Sequence, residues 1–412
     1  MKRIVAFAVG SYGDCEPFIE LGTEMLHRGY KFTIVSFIDH RKRILNRGID
    51  FLPIHGDLKE MTRRLLSEST GAKNSMYGLK DMLEKSPQLY NDFLRGAKCA
   101  DLIIYMQFGA LAYHFAEAFG IPCVRTMVYP FDVTGAYSSM FPQFTDSPIK
   151  SKISYIASDI MMNMISVKTA NVYRKKLGLG KWNYLRFYKK MHGKRLLTLY
   201  QFSDVLAPKD PAWGERVHLT GPWFCQDHAE YQPDPDLEKF LNSGDKPIFV
   251  GFGSMVYSKM EILQKILMKA ISNVGMRAVF CSFSTKFKSD SNNENFFFAD
   301  YVPYDYLFDR VCAVVHHGGC GTTHLGLMHG LPTLVLSFGG DQDFWGDQIH
   351  RLGAGPPVIR VNHEKVTVSR LEEAFMKIKS GIYNERAFQL GKKIGKESGV
   401  VRAADLLEHE LL

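Results

Sequence analysis

The chain opens with a short apolar run, Ile4–Val9, followed by an amphipathic stretch at Phe18–Arg28, a second run at Phe32–Phe37 and a further helical stretch at Arg41–Arg47. Leu102–Tyr105 and Cys123–Met127 continue the series of runs. Unbroken apolar runs rich in β-branched residues read as strands buried on both faces. With helical stretches between them, the alternation predicts a covered parallel sheet. From Ile153 to Leu199 the pattern turns helical and rich in Met and aromatic residues, and short strands are predicted at Asp204–Ala207 and Val217–Leu219. The polar stretch Gln226–Asp245, with Pro233 and Pro235, reads as a domain boundary.

A second alternating series follows, with strands at Pro247–Gly251, Arg277–Phe283, Asn295–Ala299, Ala313–His316 and Thr333–Leu336. Helices are predicted at Lys259–Asn273, from near Thr322, at Asn384–Ser398 and at Val401–Leu411. Two sheets wound alike predict two Rossmann-like α/β domains. Their ligands should sit beyond the carboxyl ends of the strands, which directs attention to the loops after Val9, Gly251, Ala299, Val315 and Leu336.

Composition narrows the class. A chain of 412 residues suits two such domains, and 46% hydrophobic with 23% charged residues is globular. A net charge of +8 is compatible with anionic ligands or an anionic membrane surface. Without zinc-finger spacing or a basic recognition helix it does not imply nucleic acid. The seven cysteines are scattered and form no CxxC pair, which points to a reduced, cytoplasmic setting. The run Ile4–Val9 is too short for a signal-peptide core, and no stretch approaches the ~20 apolar residues of a membrane span, so a soluble or peripherally bound protein is expected.

The sharpest chemical signal is Ala313-Val314-Val315-His316-His317-Gly318-Gly319-Cys320-Gly321-Thr322-Thr323. A buried strand runs into a glycine-rich turn and then a helix. Glycines let backbone N–H groups approach a phosphate, and the helix N-terminus adds partial positive charge. Thr322 and Thr323 offer hydroxyl donors and His317 a ring N–H. The bland alternative is a tight turn with a capping threonine. No Gly-Lys-Ser/Thr follows, so this is not a Walker A loop.

That segment, with Gly330-Leu331-Pro332 and Gly340-Asp341-Gln342, resembles the donor-binding signature of GT-B glycosyltransferases of family 1. It is most similar to the branch holding sterol glucosyltransferases and bacterial macrolide and glycopeptide glycosyltransferases. Phe202-Ser203-Asp204 through Thr220-Gly221-Pro222-Trp223-Phe224, Gly251-Phe252-Gly253-Ser254-Met255 and Gly10-Ser11-Tyr12-Gly13-Asp14-Cys15-Glu16-Pro17-Phe18 resemble the sterol branch in particular. The resemblance covers most of the chain and is thinnest between Leu58 and Leu199.

The resemblance implies a GT-B fold: an acceptor domain over 1–225 and a nucleotide-sugar domain over 240–390, their parallel sheets facing across a cleft, with 391–412 a helix returning to the first domain. It implies that Ser254, His317, Gly319, Gly321 and Thr322 hold a diphosphate, that Tyr301 and Val302 receive the base, and that Asp341 and Gln342 bind sugar hydroxyls. A carboxylate beside an amide suits a polyol, although Asp341 also reads as a helix N-cap. Asp14 is implied as the base that deprotonates the acceptor hydroxyl, with an Asx-turn or helix cap as the structural alternative. The reaction implied is inverting transfer of a hexose, glucose first, from a UDP-sugar or dTDP-sugar co-substrate to a lipophilic alcohol such as a sterol, lipid or polyketide. With no Asp-x-Asp motif at a strand end, neither metal nor cofactor is expected. Departures stand at Tyr12, where relatives often have Arg, at Ser337 and Asp343, where the sterol branch usually has proline, and at Leu325, where plant members have a ribose-binding Glu. The last leaves UDP against dTDP open.

Ser11, Phe108, Tyr129 and Phe131 are candidate acceptor contacts, with Tyr137, Phe141 and Phe144 nearby in sequence. Met161, Met162 and Met164 suit either a deformable pocket or ordinary core. Over 174–195, basic residues interleave with Trp182, Tyr184, Phe187 and Tyr188 and no acidic residue intervenes. Such a segment is a solvated helical face or a peripheral membrane contact. Other readings of the chain are a GT-B UDP-sugar epimerase, a non-catalytic sugar-nucleotide-binding protein and, from Gly10-Ser11-Tyr12-Gly13 alone, a dehydrogenase lacking its third glycine.

Overall fold

The apolar runs become strands because each offers alternate side chains to two covered faces. In a computed structural model of the chain, residues 1–56, 88–140, 147–183, 185, 187–224, 231–255, 257–281, 287 and 294–411 are described. Contacts divide the chain into two units. The first comprises Met1–Asp204, Pro208–Phe224 and Ser398–Leu412, and the second Val205–Ala207 and Cys225–Glu397.

The first unit contains β1 (Arg3–Phe7), α1 (Tyr12–His27), β2 (Lys31–Phe37), α2 (Arg41–Asn46), β3 (Asp50–Ile54), α3 (Leu89–Lys98), β4 (Leu102–Tyr105), α4 (Ala112–Phe119), β5 (Cys123–Met127) and the long α5 (Pro148–Lys176). A short hairpin of β6 (Lys190–Met191) and β7 (Lys194–Arg195) follows, then β8 (Leu197–Tyr200) and β9 (Val217–Leu219). The sheet order is β3-β2-β1-β4-β5-β8-β9, every pair parallel.

The second unit contains α6 (Pro235–Asn242), β10 (Ile248–Gly251), α7 (Met260–Asn273), β11 (Ala278–Cys281), β12 (Phe296–Ala299), α8 (Tyr304–Phe308), β13 (Ala313–His316), α9 (Cys320–Met328), β14 (Thr333–Ser337), α10 (Asp341–Arg351), β15 (Ile359–Arg360), α11 (Val368–Lys379) and α12 (Asn384–Ile394). Its sheet runs β12-β11-β10-β13-β14-β15, again parallel. The last helix, α13 (Gly399–Leu411), belongs to the first unit.

Period-two alternation sorts the first sheet into two cores. Val5, Phe7, Val35 and Tyr105 pack with Phe93, Phe115 and Tyr173 from the helices on one face. Ile4, Ala6, Ile34 and Ile104 pack on the other with Phe18 and Leu21 of α1 and Ala403, Leu407 and Leu411 of α13. Arg28 ties α1 to α13 through Asp405 at 2.7 Å and Glu408 at 2.8 Å.

Several elements differ from the sequence reading. The helix predicted at Phe18–Arg28 begins at Tyr12 and carries Pro17 inside it, at the cost of one backbone hydrogen bond. Asp204–Ala207 is not a strand; Leu197–Tyr200, expected to be helical, takes the place beside β5. The helical reading of 153–199 therefore ends at Lys176, since the following apolar residues serve the sheet and not a helix face. The turn into α9 starts at Cys320, two residues before Thr322. The return to the first unit begins at Ser398 and not at 391, because Ala387, Leu390 and Ile394 bury α12 within the second unit, against α9.

Leu407 is fully buried between α1 and the sheet. Leu407→Ala is expected to lower stability by about 2–5 kcal/mol, the range for deleting a buried leucine side chain, read as a lower denaturant midpoint for the full chain.

Candidate functional site

In the second sheet, β10 and β13 are neighbours at the point where strand order reverses, so the loops leaving their carboxyl ends diverge and open a crevice. The chain leaves β13 at His316, turns at Gly318 with φ 95°, and enters α9 with Gly319 as N-cap. A side chain at Gly318 would lie 2.8 Å from both the Gln342 carbonyl oxygen and the Val335 side chain. No cap hydrogen bond from a side chain closes the end of α9. The N–H groups of its first turn, those of Gly321 and Thr322 among them, point out of the helix, and the space beside Gly321 is open. Convergent N–H donors at a helix N-terminus make an anion site.

His317 lies against the loop after β10: a side chain at Gly253 (φ 56°) would sit 3.3 Å from its Cε1. Ser254 follows directly, so His317, Gly319, Gly321, Thr322 and Ser254 come together on two adjacent loops. Burial pushes the His317 pKa down to about 4, so the ring is neutral near pH 7, and its Nδ1 has no hydrogen-bond partner among the described residues. Thr323 does not join the set: its hydroxyl donates to the Gly319 carbonyl at 2.9 Å. Thr322 shares a hydrogen bond with the Tyr304 phenol. Through α8 this connects the loop to Tyr301, which is 46% exposed, and to the buried Val302.

Asp341 is the first residue of α10, a step inside the N-cap Gly340, where a carboxylate favours the helix dipole. Gln342 turns inward. Its Oε1 accepts from Phe338 N–H at 2.8 Å and its Nε2 lies 3.3 Å from Met255 Sδ, so its amide fastens the Phe338–Gly340 loop. The two departures Ser337 and Asp343 meet each other. Ser337 Oγ donates to Asp343 at 2.6 Å and accepts from Gly339 N–H at 3.1 Å, while Arg360 approaches Asp343 at 3.5 Å.

In the first unit, Asp14 sits in the first turn of α1 and not in an open loop. Its Oδ2 accepts from Ser11 N–H at 2.7 Å and Ser11 Oγ at 2.9 Å, so Ser11 serves the carboxylate. Burial raises the Asp14 pKa above the ordinary value despite those two hydrogen bonds. Gly10 (φ 154°) makes room, since a side chain there would meet Asp14 Oδ2 at 2.3 Å. The buried His40 donates from Nε2 to the Gly10 carbonyl at 3.2 Å.

Phe108, Phe131 and Met162 line a cavity of about 70 Å³ in this unit, with Tyr105, Tyr188 and Lys189. Tyr129 is not among the lining residues; it is buried and donates to the Ser138 carbonyl. Met164 is 60% exposed. Phe141, Phe144, Tyr184 and Arg186 lie outside the described residues.

The basic segment is no surface helix. Only its start is helical; Arg174 is buried on Glu117 at 2.5 Å, Trp182 is buried, Lys189 pairs with Asp159 and Arg195 with Asp132. Acidic partners from distant elements draw these cations inward, a feature a local charge count does not register.

Sequence reasoning assigns no role to His316, whose Nδ1 accepts from Gly318 N–H at 3.0 Å. It also misses Tyr304, and Asn362, which donates to the Phe338 carbonyl at 2.8 Å. The paired histidines are visible in the motif; the other two have no local signal.

Residues 267–397 match the EryCIII-like C-terminal domain, described as Erythromycin biosynthesis protein CIII-like. The chain is 27% identical to a sterol 3-beta-glucosyltransferase of Arabidopsis thaliana over 97% of its own length and 64% of the relative's. It is 29% identical to a sterol 3-beta-glucosyltransferase of Aspergillus clavatus over 99% of its length and 30% of that protein's. It thus spans just under two thirds of the plant relative and under a third of the fungal one. Among solved structures it resembles the glycotransferase of kitacinnamycin, with a TM-score of 0.74 at 17% identity, covering 100% of this chain and 99% of that one. It also resembles the glycosyltransferase VinC in complex with DTDP, with a TM-score of 0.64 at 16% identity, covering 99% of each. Two parallel α/β sheets of this order and these neighbours define the GT-B class. The fold is thus that of the GT-B glycosyltransferases, and the sequence is similar to the sterol 3-beta-glucosyltransferases and, over residues 267–397, to the EryCIII-like C-terminal domain.

Burial depresses the pKa of His317 and His324 to about 4 and drives that of His316 well down. Between about pH 6.5, the value for unfolded histidine, and pH 4, the unfolded chain binds protons that the folded chain does not, so stability falls as pH falls through that window. Thermal melts at pH 7.5 and 5 are expected to show a clear loss at the lower pH, and His324→Gln should flatten it.

Gly10→Ala should displace the Asp14 carboxylate while leaving the fold intact. The expected result is a near-native circular dichroism spectrum with Asp14 moved in a crystal structure of the variant.

Proposed function

We propose that the chain transfers a hexose from a UDP- or dTDP-sugar to the hydroxyl of a lipophilic acceptor, with inversion at the anomeric carbon and without a metal ion. UDP-glucose is the first donor to test. The observation that carries this reading is the uncapped N-terminus of α9 beside His317 and Ser254, a cradle of N–H donors suited to a diphosphate. Sterol glucosyltransferase relatives and a structural neighbour solved with thymidine diphosphate support it.

In this mechanism the acceptor oxygen forms its bond to the anomeric carbon as the bond from that carbon to the diphosphate oxygen breaks. Asp14 takes the acceptor proton. The raised pKa that burial gives Asp14 makes it a stronger base than a free aspartate. The nucleoside diphosphate leaves carrying the bonding electrons, and its growing charge meets fixed N–H dipoles that need no reorganisation. Asp341 stands at the start of α10 as the group to accept from sugar hydroxyls.

Asp14→Asn keeps the size and removes the base. Transfer to an alcohol panel, followed by mass spectrometry, is expected to fall at least about a hundredfold, the scale of general-base catalysis. Donor affinity by calorimetry should stay within about twofold, because uniform binding is untouched. Equal loss of both would make Asp14 structural. Donor binding without transfer to any acceptor would indicate a binding protein, and epimer formation without acceptor an epimerase. The acid limb of the wild-type pH–rate profile should lie above the ordinary aspartate value.

A further inference from the structure

The cavity of about 70 Å³ beneath the carboxyl ends of β4 and β5 has a charge pattern that an apolar acceptor does not explain. Its lining mixes Phe108, Phe131 and Phe187 with Arg125, Lys189 and Asp159. Arg125 is 3% exposed and bonds Asp132 at 2.5 Å; Arg195 bonds the other oxygen of the same carboxylate at 2.7 Å. Tyr200 donates to Asp132 at 2.7 Å, and Trp213 Nε1 donates to its carbonyl at 3.2 Å, so Asp132 is held rigidly. Lys189 pairs with Asp159. One carboxylate is therefore shared by two guanidinium groups. Of the charged side chains that line the cavity, Arg125 and Lys189 are positive and Asp159 negative, with Asp132 behind Arg125; Arg195, a third exposed, stands outside the lining.

Arg125 keeps its Nη1 and Lys189 two ammonium hydrogens beyond these bonds, and cationic donors in a partly desolvated wall are costly unless a counter-charge meets them. The neighbouring Tyr105, Tyr188 and Tyr200 supply none, because burial raises their pKa values and keeps them neutral. The volume is about half of the roughly 150 Å³ that accommodates a benzene ring in an engineered cavity. It takes one small group at the end of a larger molecule and not a whole ring system.

We propose that this cavity is an acceptor subsite for a carboxylate, so that the preferred acceptors are hydroxylated lipids bearing an acid group. The inference rests on the transferase reading given above. The acid docks between Arg125 and Lys189 through charge-assisted hydrogen bonds, the aromatic walls cover the adjoining hydrocarbon, and the hydroxyl to be glycosylated lies elsewhere on the same molecule.

The test compares matched acceptors on the full chain: a hydroxysteroid with a side-chain carboxylate against its carboxamide, and an ω-hydroxy fatty acid against its amide, whose flexible chain removes any constraint of span. For at least one pair kcat/KM is expected to favour the acid by about tenfold or more, the scale of one hydrogen bond to a charged group, mostly through KM. Lys189→Gln should bring the ratio near unity while leaving the KM for the sugar nucleotide unchanged. Calorimetry with the hydroxysteroid acid and its carboxamide, without donor, reads the same preference on the wild type alone should the variant fail to fold. Acids no better than amides, or transfer to neutral alcohols only, overturn the carboxylate subsite and leave the transferase standing. A ratio that survives Lys189→Gln overturns the assignment to this cavity. No transfer to any alcohol overturns the transferase itself.

Discussion

The N–H groups that open α9 govern the second unit. Three helices of this chain close their N-termini with side chains, where Ser147 accepts from Ile149, Asp234 from Asp236 and Thr367 from Arg370, while α2, α3, α4 and α7 have no such bond and no glycine N-cap. At α9 and α10 the N-cap is glycine and no side chain caps. Two helices that follow neighbouring strands of the sheet thus keep their partial positive ends for something outside the helix. The cost is carried locally: Gly318 must turn left-handed where nothing larger fits against Gln342 and Val335, and His316 gives an acceptor to the Gly318 N–H.

Much of this is legible in the sequence for a physical reason. Strands such as Ile4–Val9 and Ala313–His316 are buried on both faces, so their apolar runs are unbroken, and glycine at a strand end marks the turn. The first helix reads too short because Gly13 and Pro17 look like breakers, although the helix runs through both. That shortening places Asp14 in a loop when it belongs to a helix turn. Leu197–Tyr200 reads as helix because four apolar residues after a basic stretch carry no period of their own; its register with Val124–Met127 is a tertiary fact.

The site shows the same division. The glycines are legible because the backbone turn demands them, His317 as a ring donor beside them, and Ser254 only through the family resemblance. The amide chemistry of Gln342 suits a sugar, but Phe338 N–H and Met255 Sδ take both ends of it. Ser337 and Asp343 stand out in the sequence only as departures. Their hydrogen bond, with Arg360 behind it, shapes the chain that leads to Asp341. The basic residues of 174–195 mislead in the opposite sense, since Glu117, Asp159 and Asp132, far off in sequence, neutralise three of them.

Charge is distributed unequally between the units, and that bears on how a diphosphate would be held. No Lys or Arg occurs from Ala313 to Thr323, and His317 is neutral through burial. The proposed donor cradle therefore works by dipoles. A bound cation would attract the donor and the departing diphosphate alike and slow product release, whereas N–H donors fixed in position favour the more concentrated charge of the leaving group. Neutrality also keeps the cradle independent of pH above the histidine range. The cations lie instead on the first unit, around Asp132 and Asp159, where carboxylates restrain them. On the proposed reading, a fold that withholds full charge from the diphosphate cradle and places it beside an apolar cavity assigns dipoles to the group that must leave and ions to a group that must stay.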